Sequence, residues 1–116
     1  MVKIGNLSKE IVDAFNLNYE EGTEIKLTRG RKRHMSKHRE EFADFDATFD
    51  SIDEIIASPD YVGLHPNGDS LQYIKRMDGN VLVAVRLGDN LTVRTMYVIT
   101  ENKLRNYIEA DRIKRM

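Results

Sequence analysis

Residues Arg29 to His38 read RGRKRHMSKH and bring together side chains suited to proton transfer and to phosphate binding. His34 and His38 are four residues apart, with Arg29, Arg31, Lys32 and Arg33 before them and Lys37 between them. On an α-helix that spacing stacks the two imidazoles on one face. Imidazole exchanges protons near neutral pH, and guanidinium matches the geometry of phosphate oxygens, so the cluster points to chemistry on a phosphodiester. The simpler alternative is a solvated basic helix start whose histidines have no special task.

Charge is unevenly distributed around this block. The whole chain carries a net charge of −1. Arg29, Arg31, Lys32, Arg33, Lys37 and Arg39 lie in a stretch without an acid, whereas the stretch from Glu40 to Glu54 contains acids and no base. A local basic patch on a nearly neutral body grips a few phosphates rather than a long duplex, so a nucleic-acid substrate is expected to be recognised at a short site.

At 116 residues the chain is expected to form one domain, residues 1–116, with one hydrophobic core. Its 41% hydrophobic and 32% charged residues describe an ordinary globular protein. No apolar run approaches the ~18 residues of a membrane span, and the N-terminus lacks the apolar core of a signal peptide. No membrane partner and a cytoplasmic location are therefore expected. The absence of cysteine excludes disulfides, a thiol nucleophile and thiolate zinc sites.

The elements that position the basic block follow from periodicity. Val2 to Gly5 reads as a strand, and Ser8 caps a helix whose apolar stripe is Ile11, Val12 and Phe15. Thr23 to Thr28 alternates as a strand and delivers the chain to Gly30. Met35, Phe42 and Phe45 predict a helix from Lys32 to about Phe45. Ser51 and Glu54 have the spacing of a capping box before Ile52, Ile55 and Ile56, and Ser58-Pro59 ends that helix. Beyond it the period changes to alternation. Strands are predicted at Tyr61–Leu64, Ser70–Arg76, Val81–Leu87 and Leu91–Thr100, separated by turn sequences at 66–69, 78–79 and 88–90. Glu101 to Ile108 reads as a closing helix, and the basic tail from Ala110 is expected to fray. The order predicts an α+β fold, with the N-terminal helices on one face of an antiparallel sheet of four or more strands and the other face open for binding.

Cross-strand pairing divides the strand residues between these faces. A two-residue turn at Asp78-Gly79 sets Lys75 opposite Leu82 and Tyr73 opposite Ala84. A three-residue loop at 88–90 sets Arg86 opposite Thr92 and Ala84 opposite Arg94. Val81, Val83, Val85, Leu91 and Val93 then form the core face, leaving Tyr73, Lys75, Arg86 and Arg94 on the open one. Cations interleaved with an aromatic ring suit single-stranded RNA, although any exposed sheet face carries arginine and tyrosine.

Five segments in order, KIGNLSKEIV, IKLTRGRKRHMSKHREEF, IDEIIASPDYV, LQYIKR and VRTMYVIT, span nearly the whole chain. Together they resemble the phage-associated nucleases of the barnase-EndoU-colicin-RelE-like superfamily. The resemblance implies a small α+β fold with a curved sheet and metal-independent RNA cleavage without a cofactor. By position, His34 and His38 match the family's histidine motif, Lys75 or Arg76 its strand base, and Thr95 with Tyr97 its last-strand polar pair. The pairing scheme, however, puts Thr95 and Tyr97 on the valine face and Lys75 on the other. A strand alternates strictly unless interrupted, so either a bulge lies near Thr95 or one of these residues is structural.

The expected activity is that of an endoribonuclease generating a 2′,3′-cyclic phosphate, with His34, His38, Lys75 and Thr95 catalytic. Arg31, Arg33, Tyr73, Arg86, Arg94 and Tyr97 are expected to bind substrate. The resemblance also implies a phage or mobile-element protein acting on RNA, as a toxin would, inside a bacterial cell. Since a free, efficient RNase harms the cell that makes it, a protein inhibitor as partner, a narrow target such as a tRNA loop, or weak activity is expected. A monomer or weak dimer is expected. Two alternatives stay open: a non-catalytic module that binds RNA or protein on the same surfaces, and zinc held by His34 and His38. The second lacks the glutamate that metalloproteases place after the first histidine, since Met35 stands there, and nothing in the sequence brings His65 near as a third ligand.

Overall fold

Seven strands form a single sheet in a computed structural model that describes residues 1–116. In chain order the elements are β1 (Val2–Asn6), α1 (Lys9–Ala14), β2 (Glu24–Leu27), α2 (Arg31–Met35), a 3₁₀ helix (Ser36–Glu41), α3 (Phe45–Asp50) and α4 (Ile52–Ala57). They continue with β3 (Tyr61–Leu64), β4 (Ser70–Met77), β5 (Gly79–Leu87), β6 (Leu91–Ile99), α5 (Glu101–Glu109) and β7 (Ile113–Arg115). The strand order is β1-β2-β6-β5-β4-β3-β7. Neighbours are antiparallel except β2 and β6, which run parallel. The α+β class and the four predicted long strands are present. No helix is long and apolar enough to cross a membrane.

Both faces of the sheet carry a core. On the first, Leu71, Val81, Val83, Val85, Val93 and Met96 pack against Ile11 of α1, Met35 of α2, Phe45 of α3 and the isoleucines of α4. The expected valine face is thus the helix-covered one. On the second, Ile74, Leu82, Ala84 and Ile99 pack against Leu104 and Tyr107 of α5 and Ile113 of β7. This corrects the expectation of a fully open face. The unbroken apolar run Val81–Val85 buries side chains in both directions, as a strand covered on both sides requires.

The predicted helix from Lys32 to Phe45 is broken. It is α-helical only to Met35, tightens to 3₁₀ as far as Glu41, and turns extended at Phe42. Phe42 then meets Phe45 edge to face, with centroids 5.4 Å apart, so the aromatic pair anchors the chain where the helix would have continued. The capping box does not form either. Because α3 runs directly into α4, the Ser51 hydroxyl donates back to the Ala47 carbonyl (3.0 Å), and Asp53 Oδ1 accepts from Glu54 N–H (2.9 Å). Ser8 does cap α1, accepting from Ile11 N–H (3.2 Å).

Two details of register decide which side chains reach which face. The β4–β5 turn is tighter than a two-residue hairpin, with Met77 opposite Gly79 and Gly79 at φ 105°. Lys75 therefore opposes Val81, and Tyr73 opposes Val83. A shift of one residue exchanges the faces of a strand. Tyr73 and Lys75 consequently lie on the helix-covered side and not, as expected, beside Arg86. The second detail is a bulge: Ala84 opposes Thr95 while Val85 opposes Val93, leaving Arg94 as the extra residue. Beyond it Met96 enters the first core, and Thr95 and Tyr97 turn to the second face. The bulge lies where the tension in the sequence put it, but because β4 has changed faces too, Lys75 and the Thr95–Tyr97 pair still lie on opposite sides of the sheet.

The C-terminal tail does not fray. Ile113–Arg115 pair with β3, and Ile113 is buried. Gly63 permits this contact, since a Cβ there would come within 2.6 Å of both the Arg112 carbonyl oxygen and Ile113 Cγ2.

Candidate active site

The part of the second face left uncovered by α5 has a polar lining. Gln72, Ala84, Thr95 and Tyr97 of the sheet, with His65 and Asp69 of the β3–β4 turn, line a hollow of about 210 Å³. Beside it lies a second hollow of about 390 Å³, into which Arg31, Arg86 and Arg94 converge around Asp69 and Thr92. Arg94, on the bulge, and Asp69 belong to both. Arg94 Nη1 is 3.5 Å from Asp69 Oδ2, and Arg31 Nη1 donates to the Arg94 carbonyl (3.3 Å). These contacts tie α2, the bulge and the β3–β4 turn together around the two hollows.

His38 approaches the same face from the 3₁₀ helix. Its ring centroid is 5.9 Å from that of Tyr97, and its Nδ1 is 2.7 Å from Glu41 Oε2. The other carboxylate oxygen of Glu41 accepts the backbone N–H of Val98 on β6 (3.0 Å). A 3₁₀ helix eclipses residues three apart, which places His38 directly over Glu41 here. Facing a carboxylate, Nδ1 donates, and in the neutral ring Nε2 is left with a free lone pair. The arrangement is an imidazole oriented by a carboxylate that is itself fastened to the sheet, as a general base requires.

His34 takes a different position. It is exposed on α2, and although neither it nor His38 lines a hollow, it lacks the carboxylate partner and the ring contact that His38 has. The Lys37 ammonium, slight desolvation, and the charges of Arg31 and His38 hold its pKa below the ordinary imidazole value. Arg33 is likewise exposed and outside both hollows. Tyr97 is half-buried, and burial, followed by Tyr107, pushes its phenol pKa up, so the hydroxyl keeps its proton.

Three other expected positions are engaged elsewhere. Lys75 Nζ donates to the Ser58 carbonyl (2.7 Å) and Ser58 Oγ (3.3 Å) on the opposite side of the sheet, closing the C-terminus of α4. Arg76 donates through Nη2 to both carboxylate oxygens of Glu101 (2.8 and 2.9 Å), tying the far end of β4 to the start of α5. Tyr73 is 0% exposed and offers no ring to a base. The structure therefore brings together His38, Thr95, Tyr97, Arg31, Arg86 and Arg94, and not Lys75, Tyr73, Arg33 or His34.

Glu41, Asp69 and Gln72 were missed from the sequence, and His65 was weighed only as a third zinc ligand. Only the i, i+3 spacing of His38 and Glu41 carried a signal. His65 Nδ1 accepts the backbone N–H of Asn67 (3.1 Å) and lies 3.8 Å from Asp69 Oδ1. No three histidine, aspartate or glutamate side chains converge as a metal-ligand group.

The molecule is an α+β protein with a mixed sheet, one face covered by α1 to α4 and the other, partly covered by α5, carrying converging arginines beside a carboxylate-backed histidine. The chain belongs to the phage-Barnase-EndoU-ColicinE5/D-RelE like nuclease3 family, whose description matches residues 2–106. That span contains every residue of both hollows and the His38–Glu41 pair. No curated protein and no solved structure matches the chain.

Proposed function

We propose that this nuclease-family protein is a metal-independent endoribonuclease that cuts by 2′-hydroxyl attack. The observation that carries the proposal is the His38–Glu41 pair, held on β6 beside Tyr97 at the edge of an arginine-lined sheet face. His38 Nε2 takes the proton of a ribose 2′-hydroxyl. The 2′-oxygen bonds to phosphorus while the bond to the 5′-oxygen breaks, giving a 2′,3′-cyclic phosphate and a 5′-hydroxyl. Arg94, Thr95 and the protonated Tyr97 donate to the phosphorane oxygens as negative charge accumulates there. The leaving 5′-oxygen takes its proton from His65, the imidazole that lines the hollow. Asp69 is near enough to stabilise the charged form of His65 when Nδ1 gives up its bond from Asn67. His34 contributes to substrate approach through the basic surface of α2.

The chain's near-neutral charge and compact group of arginines favour a narrow RNA target, such as a tRNA loop, over long duplexes. We further infer a phage-borne toxin acting as a monomer or weak dimer in the bacterial cytoplasm, restrained by a protein inhibitor, since an unrestrained RNase harms the cell that makes it.

Purified protein incubated with RNA in EDTA is expected to produce fragments ending in cyclic phosphate, and 2′-deoxy substrates should survive. A requirement for divalent metal, or cleavage of DNA, overturns the proposed chemistry. RNA binding without cleavage, unchanged by His38→Ala, points to a non-catalytic binding module.

A further inference from the structure

Gln72 is a carboxamide in the middle of an apolar strand. It stands between Leu71 and Tyr73 on β4, is 5% exposed, and lines the 210 Å³ hollow. Buried carboxamides ordinarily satisfy their donors and acceptor within the protein. Asn80, on the same face and 3% exposed, does so: it donates to the Ile99 carbonyl (3.4 Å) and to Glu101 Oε1 (3.1 Å), and accepts from Arg76 Nε (3.4 Å). Ser70, one residue before Leu71, reaches Asp69 Oδ1 (3.4 Å). Gln72 makes no side-chain hydrogen bond, yet its amide is not among the polar atoms sealed away from solvent. Its polar atoms therefore face the hollow.

The surroundings suit a flat heteroaromatic ring. The residue opposite Gln72 on β5 is Ala84, whose methyl group leaves the floor low, and the rings of His65 and Tyr97 line the same hollow. Unstacked RNA bases are recognised by aromatic contacts combined with hydrogen bonds to a base edge. The neighbouring arginine hollow is placed to take the attached phosphates.

We propose that Gln72 reads a nucleobase in this hollow, pairing its amide donor and carbonyl acceptor with adjacent acceptor and donor atoms of the base edge, and that adenine is the base selected. Adenine presents N6–H₂ beside a ring nitrogen, the pattern a carboxamide meets in bidentate fashion. The assignment rests on the endoribonuclease function proposed above and adds base selectivity to it.

The test is equilibrium titration of the whole protein with the four nucleoside 5′-monophosphates, which contain no phosphodiester to cleave. Adenosine monophosphate should bind about 5- to 100-fold more tightly than the others, the range expected for one bidentate pair. Gln72→Leu, close in size and without polar atoms, should reduce that preference to near unity while keeping the shared phosphate contribution; its thermal melt verifies the fold. Gln72→Glu provides a second variant: an acceptor-only carboxylate should favour guanine, which presents neighbouring donors. Equal affinities in the native protein, or a preference that survives Gln72→Leu, overturn the proposal. A preference for another base that disappears in Gln72→Leu overturns the choice of adenine. RNA cleavage indifferent to base removes the reading role and leaves the endoribonuclease intact, whereas adenine-selective binding by a protein that cuts no RNA does the reverse.

Discussion

The two faces of the sheet are built from the same strands and have opposite characters. The first is closed by α1 to α4, and its side chains from β4, β5 and β6 are apolar apart from Tyr73 and the peripheral Lys75. The second is closed by α5 over only part of its length, and where that cover stops the side chains become Gln72, Thr95, Arg86 and Arg94. The second face therefore has room for function because one short helix seals enough apolar surface to leave the rest of the face polar and open. Which residues reach it depends on two local events: the one-residue tightening at Asp78 and the extra residue at Arg94.

The largest effects should come from the pair that reaches this open area. His38→Ala is expected to lower the RNA cleavage rate about 100-fold or more, the usual scale for a general base, with an unchanged melting temperature. Glu41→Gln keeps the shape but removes the charge that orients the ring, and should cost about 10- to 100-fold in kcat with less change in KM. His34→Ala, which removes an imidazole with no carboxylate partner, should cost less than about 10-fold. If His34→Ala is instead the more damaging, the active histidine is the one on α2, and the second face loses its special standing.

Deletion of Arg94 attacks the comparison itself. Without the extra residue, β6 would pair regularly with β5, Val93 still opposite Val85 and Thr95 still opposite Ala84, so Thr95, Met96 and Tyr97 would keep their faces while the guanidinium that meets Asp69 is lost. The expected result is weakened RNA binding and cleavage in a protein that melts close to the native one, because no side chain changes face. Arg94→Ala keeps the bulge and should leave the fold intact while weakening RNA binding and its salt dependence. A deletion several kcal/mol less stable than the substitution would show that side chains had exchanged faces and that the pairing is not the one described.

These two events also mark the limit of what the sequence discloses. The valine face was legible because five apolar side chains recur with period two and a three-residue loop sets β5 against β6. The bulge was legible as a conflict between that pattern and the resemblance of the last strand. The face of Tyr73 was not, because Asp-Gly signals a hairpin without stating its turn geometry, and β4 has apolar residues on both sides. The His38–Glu41 contact was available from its i, i+3 spacing on either winding, but spacing alone does not single out Glu41 among the neighbouring acids. α5 was foreseen, but its docking onto the second face depends on Leu104, Tyr107 and Ile113 meeting residues far away in the sequence.

A smaller effect is expected where α5 is fastened. Arg76 holds the Glu101 carboxyl pKa below its ordinary value, with Asn80 adding a second hydrogen bond. A carboxyl group with a depressed folded pKa stabilises the fold above its unfolded pKa, near ~4.3, and that stability is lost as pH falls through the folded value. Arg76→Gln should therefore lower the melting temperature slightly at pH 7, and the difference from the native protein should vanish in strongly acidic solution. Both side chains are exposed, so solvent screening keeps the change small. A melting difference that persists unchanged below pH 3 would assign the role of Arg76 to packing rather than charge.

The smallest effect separates two tyrosines that the sequence alone treated alike. Tyr97 lies on the second face beside His38, and its hydroxyl is assigned a hydrogen bond to the phosphate, so Tyr97→Phe should slow cleavage roughly 10-fold. Tyr73 is buried on the first face, where its hydroxyl has no hydrogen-bond partner, and burial pushes its pKa far above that of an ordinary phenol. Removing an unpaired buried hydroxyl while keeping the ring avoids the desolvation penalty and opens little space. Tyr73→Phe should therefore leave cleavage unchanged and stability equal or higher by about 1 kcal/mol. Denaturant melts and initial rates of the two variants provide the check. If Tyr73→Phe slows cleavage as much as Tyr97→Phe does, the chemistry is not confined to one face and the register at Asp78 is not the one described.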